Sequence, residues 1–170
     1  MPRMKQTMLV AIIVVASAVA SAGTASAGGQ PGSIGVGAEF QLSGIGGLSV
    51  NFDAGRFHAG GFIGFIDPAG GNNTTVDIGG RFFFHVATTA MSDFSIGGGL
   101  GIRSQYRNVG GMGPTRQTDL FLEPSFQIRA FVASNVALSF TGGITIGTID
   151  ESEVDITAQE TGIAGVHYYF

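Results

Sequence analysis

The feature that most constrains how this chain can fold is an alternation, residue by residue, between two chemically different faces, which begins at Ser33. Over 34–43 the even positions are apolar, from Ile34 to Leu42, whereas the odd positions are glycine or polar. A period of two residues indicates a β-strand with one apolar and one polar face. The pattern recurs in 34–43, 48–53, 57–66, 76–85, 94–103, 119–129, 136–147 and 161–170.

The segment 57–66 is the weakest of these, because both its faces are largely apolar or glycine and only His58 is polar. Its length and its position between two clear strands still predict a strand. Connections rich in Gly, Asn, Asp or Pro separate several of the segments, and the longest predicted connection is Arg107–Gln117. The sequence therefore predicts an all-β fold, an eight-stranded antiparallel up-and-down β-barrel over 33–170.

The charges indicate which face of this barrel points outward. They fall on the polar face, at Glu39, Asp53, Asp77, Arg81, Arg103, Asp119, Glu123 and Arg129, and the apolar face carries none between the predicted strand ends. A lipid-facing Arg costs roughly 2–4 kcal/mol at mid-bilayer, so a membrane barrel excludes charges from its outer face. The polar face is also crowded with Gly, Ser and Thr and has no lysine. These features favour a transmembrane barrel with a polar lumen over a soluble, lipocalin-like ligand-binding barrel.

Composition excludes several classes of function. Cysteine is absent, so neither a disulfide framework nor a thiolate metal site is possible. Only 12% of residues are charged, against roughly 25% in soluble globular domains. Without Arg3 and Lys5 near the start, six arginines face twelve carboxylates, so no nucleic acid partner is expected. The glycine-rich 97–101 lies inside an alternating strand with no helix after it, so no nucleotide is expected either.

The first residues have the three parts of a secretory signal peptide. Arg3 and Lys5 form a basic start, an apolar stretch follows, and small residues offer cleavage after Ala22 or Ala27. The apolar stretch is shorter than the ~18–20 residues of a spanning helix, which disfavours a transmembrane anchor. Cleavage after Ala27 is preferred, because 28–32 then forms an extended mature N-terminus ahead of the barrel. The predicted organisation is a signal peptide over 1–27, this N-terminus over 28–32 and the barrel over 33–170.

Charges on the lumen face are expected to pair, since an eight-stranded barrel is just wide enough to be filled by side chains. If Val86 lies opposite Phe94 across the hairpin Ala87–Asp93, then Asp77 lies opposite Arg103, with Glu123 diagonally nearby. The expected lumen charge network consists of Glu39, Asp77, Arg81, Arg103, Glu123 and Arg129. A largely plugged lumen is favoured, and a narrow ion path is the alternative. Pro124 lies mid-strand, where a local bulge is expected.

The final strand ends in Val166, Tyr168 and Phe170 at every second position. This pattern resembles the terminal signal of the small eight-stranded outer-membrane β-barrel proteins, of the OmpX-like and OmpA transmembrane-domain type, and the alternation over 33–170 is similar to theirs. The resemblance implies a Gram-negative outer-membrane location, contact with membrane lipids and lipopolysaccharide, and barrel-assembly machinery as a partner that reads this strand. The expected function is a non-enzymatic, envelope-structural or surface-interaction role without a cofactor, and a small porin-like pore is the alternative.

Catalytic and metal-binding patterns are not evident. Some barrels of this size are lipid-modifying hydrolases, which need a Ser activated by a His, but none of His58, His85 and His167 has a Ser two residues later. These well-separated histidines do not predict a metal site. Two predicted loops carry charges that are expected to contact cations or lipopolysaccharide phosphates. These charges are Asp150, Glu151, Glu153 and Asp155 in one loop, and Arg107 and Arg116 in the other; a merely solvated loop is the simpler interpretation.

Overall fold

The structure is a computed structural model that describes residues 30–67, 74–108, 113–149 and 155–170. The predicted signal peptide over 1–27 lies outside these residues, as do 28 and 29. Residues 30–33 form a turn, in which Ser33 N donates to Gln30 O at 2.9 Å and Gly32 has φ +93°. The described part of the expected extended N-terminus is therefore folded back, with Gly32 N bonded to Asp53 O at 2.7 Å.

Eight strands form a closed barrel in which each strand is antiparallel to its neighbours and β8 pairs with β1. The predicted eight-stranded up-and-down barrel is confirmed. Among the described residues no helix is long and apolar enough to cross a membrane. The strands are β1 Ile34–Gln41, β2 Gly46–Asp53, β3 Phe57–Ile66, β4 Thr75–Thr88, β5 Ser92–Asn108, β6 Pro114–Ala133, β7 Val136–Ile149 and β8 Asp155–Tyr169.

The two ends of the barrel differ. The terminal end carries the start of β1 and the end of β8, with the connections 54–56, 89–91 and 134–135. The loop end carries the connection 42–45 and the strand ends Ile66, Asn108 and Ile149. β5 and β6 pair as far as Asn108↔Pro114 at the loop end, so the predicted connection Arg107–Gln117 is wrong: most of it continues the strands.

The β5–β6 ribbon projects beyond its neighbours at the loop end. The ladder from β5 to β4 ends at Val76↔Ser104, and the ladder from β6 to β7 ends at Phe121↔Gly147. Beyond these points the two strands pair with each other. β1 and β2 have only 8 residues each, whereas β5 has 17 and β6 has 20. The wall of the barrel is therefore tallest along β5 and β6.

The apolar face points outward and the polar face lines the lumen, because successive side chains of a strand point to opposite sides. Leu48 and Phe65 on the outer wall are 66% and 63% exposed, whereas Asp77 and Phe83 inside are buried. Glu160 also points outward on β8, opposite Ile144. It lies beyond Ile163, where the pairing of β8 with β1 ends, and thus towards the loop end.

Two irregularities adjust the register. A bulge between His85 and Ala87 places Ala87, not Val86, opposite Phe94, so the predicted Val86–Phe94 pair is wrong. Asp77 still lies opposite Arg103, because both lie on the far side of the bulge from the hairpin turn. A second bulge lies between Phe131 and Ala133.

The bulge expected at Pro124 is absent. On the β7 side the pairs Leu122↔Ile146 and Ser125↔Gly143 keep one register across an interrupted ladder. On the β5 side the ladder is continuous and pairs Gly98 with Pro124. A Cβ at Gly98 would lie 2.4 Å from the carbonyl oxygen of Glu123. The sheet thus accommodates the missing proline N–H by a gap in one ladder and by a glycine on the other side.

Candidate functional site

The candidate site is the lumen, where three arginines each bind carboxylates brought from other strands. Arg129 lies near the terminal end, Arg81 at mid-height and Arg103 towards the loop end. We call the groups around them the terminal, central and loop-end clusters. Each arginine occupies an odd position of an alternating strand, which directs its guanidinium inward.

The terminal cluster is centred on Arg129, whose side chain is buried. Its Nε donates to Asp93 at 3.1 and 2.9 Å, and its Nη2 donates to Asp53 Oδ2 at 2.7 Å. Its Nη1 donates to the hydroxyl of Tyr169 at 3.0 Å, and Nη2 also lies 3.0 Å from His85 Nε2. Both carboxylates are buried. One guanidinium therefore serves two buried carboxylates as their shared counter-ion and links five strands.

Two histidines extend this cluster. His85 Nδ1 donates to Gly55 O at 2.8 Å, and His85 Nε2 lies 2.8 Å from His58 Nδ1. Because a carbonyl only accepts, the proton of a neutral His85 sits on Nδ1, and the single lone pair of Nε2 faces both Arg129 Nη2 and His58 Nδ1. The His58 ring stacks on Phe83 at 5.2 Å between centroids. The pair is thus bound into the packing of the lumen.

The central cluster is built around Arg81. Its Nη1 donates to Glu39 Oε2, and its Nε donates to Glu123 Oε1 at 3.0 Å. The guanidinium carbon lies 3.9 Å from the ring centroid of Phe62. The Arg81 side chain is 8% exposed and that of Glu39 13%. A cation so placed joins one carboxylate of β1 to one carboxylate of β6 while an aromatic ring covers its face.

The loop-end cluster is a two-pronged ion pair. Arg103 Nε and Nη2 donate to the two oxygens of Asp77 at 2.9 and 2.7 Å. Gln41 lies beside them, with its Nε2 3.3 Å from Asp77 Oδ2. Bidentate pairing of this kind is stronger and more directional than a single contact. In the ladder, Arg103 also lies opposite Asp119, whose Oδ2 accepts from Gln105 Nε2 at 3.0 Å.

The six predicted lumen charges all face inward, but the structure groups them into separate clusters. Glu123 bonds Arg81 and not Arg103, which corrects the expected diagonal contact. The reason is Gly99, which lies between Arg81 and Glu123 in the two ladders. A Cβ there would lie 3.1 Å from Arg81 Cγ, so the missing side chain lets Arg81 cross to Glu123.

Sequence reasoning missed most partners of Arg129. The predicted connection Ala87–Asp93 includes Asp93, whereas β5 begins at Ser92. Tyr169 and His85 belong to strands far from β6 in sequence, and no spacing rule connects them. Asp53 is predicted to face inward at the end of its strand, and its position close to the same end of the barrel as Arg129 is the sequence signal that could have paired the two.

The remaining predicted residues lie elsewhere. Val166, Tyr168 and Phe170 follow one another on the outer face of β8 and at its end, with the Tyr168 and Phe170 rings 6.4 Å apart. Asp150, Glu151 and Glu153 lie outside the described residues. Asp155 starts β8 and Arg107 lies in β5. Arg116 points outward on β6, with its Nε 2.8 Å from Ser104 Oγ.

One arrangement superficially resembles a hydrolase triad. Ser49 Oγ lies 2.6 Å from His167 Nε2, and Glu39 Oε1 lies 3.6 Å from the same nitrogen. In a catalytic triad the acid binds the other ring nitrogen and so orients the base. Here serine and acid share one nitrogen, and Ser49 and His167 are buried. The geometry is that of a packed hydrogen bond. Within the described residues no group of three or more His, Asp or Glu is placed to hold a metal ion.

Comparison with solved structures identifies the fold. The chain is similar to the N-terminal β-barrel domain of Pseudomonas aeruginosa OprF, with a TM-score of 0.64 and 12% identity over 82% of this chain and 98% of that domain. The chain shares the fold of the small eight-stranded outer-membrane β-barrels. It is also similar to Neisserial surface protein A, with a TM-score of 0.53 and 15% identity over 81% of this chain and 96% of that protein. No protein-family model and no curated protein sequence matches the chain.

Proposed function

We propose that the protein is a non-enzymatic barrel of a Gram-negative outer membrane, with a lumen closed by its own side chains and a role in envelope structure or surface interaction. Its outer wall supports the membrane location. Large apolar side chains, each 39–73% exposed, cover that wall. A soluble monomer rarely exposes a continuous apolar surface that extends over whole strands. The likeness to solved outer-membrane barrels points the same way.

The proposal of a closed lumen is supported by the side chains that lie next to the inward-facing glycines. They could have left open space, yet each of three lies under an aromatic ring. A Cβ at Gly35 would lie 2.7 Å from the Tyr169 ring, and one at Gly101 would lie 2.6 Å from Phe121. A Cβ at Gly37 would lie 2.6 Å from the His167 ring. These glycines make room for rings, so the space that they vacate is filled.

The charged clusters complete the closure at different heights of the barrel. A cavity of about 10 Å³ beside Glu39, Gln41 and Arg81 is at the lower limit for one water molecule. Ions would have to pass three guanidinium groups that are already paired with carboxylates. The alternative function, a narrow pore, requires these pairs to separate.

Planar-bilayer recording tests the closed lumen. The mature chain is refolded in detergent, its folding is checked by heat-dependent gel mobility, and it is inserted into the bilayer. We expect a folded, inserted and silent parent. The double variant Arg81→Gly/Glu123→Gly removes the central cluster and is expected to conduct in discrete steps. Arg116→Gln, on the outer wall, is the matched control and stays silent. Discrete steps from the parent would establish the pore instead.

Assembly forms part of the same proposal. Val166, Tyr168 and Phe170 present apolar groups on the outer face of the closing strand, and Phe170 is 70% exposed. Such groups are available to barrel-assembly machinery before the barrel meets lipid. We propose that this strand is the segment that the machinery binds.

A further inference from the structure

The outer wall of the β5–β6 ribbon carries a polar group just beyond the apolar belt. Ser104 lies opposite Thr118, and Tyr106 lies opposite Arg116, all on the outward face. Arg116 Nε donates to Ser104 Oγ at 2.8 Å, and its guanidinium carbon lies 5.3 Å from the Tyr106 ring centroid. No carboxylate of the described residues forms an ion pair with Arg116. Within the described part of the chain the guanidinium is therefore held by neutral groups, and it points outward from the wall.

Directly below this group, towards the terminal end, the same wall contains an apolar groove of about 570 Å³. The groove exists because Gly80 and Gly98 carry no side chain between larger neighbours. A Cβ at Gly80 would meet its nearest atom, Gly60 O, only at 3.4 Å. The outward side chains that line the groove are Phe82, Leu100, Leu122 and Pro124. Arg81 and Glu123 of the central cluster also belong to its lining, but their side chains bind each other on the lumen side.

The distance between the two features fits one lipid molecule. Arg116 and Pro124 lie eight residues apart on β6, or ~26 Å along a strand at ~3.3 Å per residue. A tilt of ~40° reduces this to ~20 Å along the barrel axis. A bilayer with its headgroups is ~40–45 Å thick, so its headgroups lie ~20 Å from the midplane. A phosphate at Arg116 would thus place its acyl chains beside the groove.

We propose that this wall binds lipid A of the outer leaflet, with a phosphate on Arg116 and an acyl chain in the groove between Gly80 and Pro124. The proposal rests on the membrane location proposed above, and it places the loop end at the outer face of that membrane. Charge complementarity identifies the occupant. Because the chain is acidic overall, most of it repels a phosphate, and a phosphate-bearing lipid binds best beside an outward cation such as Arg116. A guanidinium suits phosphate, because its planar donors can bind two oxygens at once.

Binding of lipid A to the folded mature chain in phosphatidylcholine nanodiscs tests the proposal. Insertion and heat-dependent mobility are checked first on the same preparation, so a failure of the membrane assignment is seen separately. We expect Arg116→Gln to weaken binding of bis-phosphorylated lipid A about tenfold, the loss of roughly one charge-assisted contact. Arg56→Gln, an exposed arginine at the terminal end, is the matched control and should bind like the parent.

Further ligands separate the possible sources of phosphate. Lipid A without phosphates should bind the parent as weakly as phosphorylated lipid A binds Arg116→Gln, and millimolar inorganic phosphate should not displace the lipid. Gly80→Leu fills the groove and should weaken lipid A without weakening a phosphorylated disaccharide that lacks acyl chains. Equal losses in the Arg116 and Arg56 variants would overturn the proposal. So would parental affinity for phosphate-free lipid A, or for phosphatidylglycerol at the strength of lipid A.

Discussion

Replacing Arg129 with methionine should destabilise the barrel more than any other single loss of a lumen cation. The guanidinium makes hydrogen bonds to Asp53 and Asp93, both buried, and one to the Tyr169 hydroxyl. Methionine keeps similar bulk but leaves two buried carboxylates without a counter-ion. Breaking one buried ion pair by removing a partner costs roughly 3–5 kcal/mol. We expect Arg129→Met to lower the free energy of unfolding by at least ~4 kcal/mol, less than twice the single-pair figure because the pairs share one guanidinium.

Urea titration of the refolded barrel in detergent micelles, followed by gel mobility and circular dichroism, measures this loss. Arg56→Met, at an exposed arginine, is the matched control and should stay within ~0.5 kcal/mol of the parent. The triple variant Arg129→Met/Asp53→Asn/Asp93→Asn removes the unpaired charges and should recover much of the stability. An Arg129→Met barrel within ~1 kcal/mol of the parent would refute the reasoning, because the carboxylates would then be hydrated or neutral.

Three further outcomes are expected. Arg103→Met leaves Asp77 buried without its bidentate partner and should cost several kcal/mol in the same titration; a variant as stable as the parent would show that the pair is solvated. Gly37→Ala places a Cβ 2.0 Å from Val166 O and 2.6 Å from a ring and should cost ~1–3 kcal/mol, whereas Gly61→Ala, 3.6 Å from its nearest atom, should be almost neutral; equal effects would contradict the packing described here. Phe170→Ser should refold in detergent with near-parental stability but accumulate less in the outer membrane of cells, as cell fractionation measures; unchanged accumulation would remove the terminal strand from the assembly proposal.

The barrel itself could be predicted because one physical rule governs every strand. Side chains alternate across a sheet, and a membrane barrel needs opposite chemistry on its two faces, so the period of two and the exclusion of charge from one face are visible in the sequence. The ends of β5 and β6 could not be predicted in this way. Around Gln105 and Thr115 both faces are polar, because the ribbon there has left the apolar belt and the contrast between faces disappears.

The contacts inside the lumen could be predicted only where they follow the ladder. Asp77 and Arg103 are direct neighbours across one hairpin, and a simple count of positions pairs them. Arg81 reaches Glu123 across Gly99, and Arg129 meets Tyr169 across the interior of a closed barrel. Such contacts depend on side-chain length, on glycines that leave space and on the closure of the sheet. The alternation of apolar and polar residues gives no information on any of these. The bulge after His85 likewise changes the register without any local sign in the alternation.

The outward orientation of the apolar face is tested most directly by the fluorescence of single tryptophans in brominated lipid, because the chain has no tryptophan of its own. Leu100→Trp and Phe140→Trp place the fluorophore on the outer wall, and Phe131→Trp places it inside the lumen. Brominated acyl chains should quench the first two strongly and the third weakly in refolded, heat-modifiable protein. Strong quenching of the lumen position with little at the outer positions would contradict the orientation of the barrel wall.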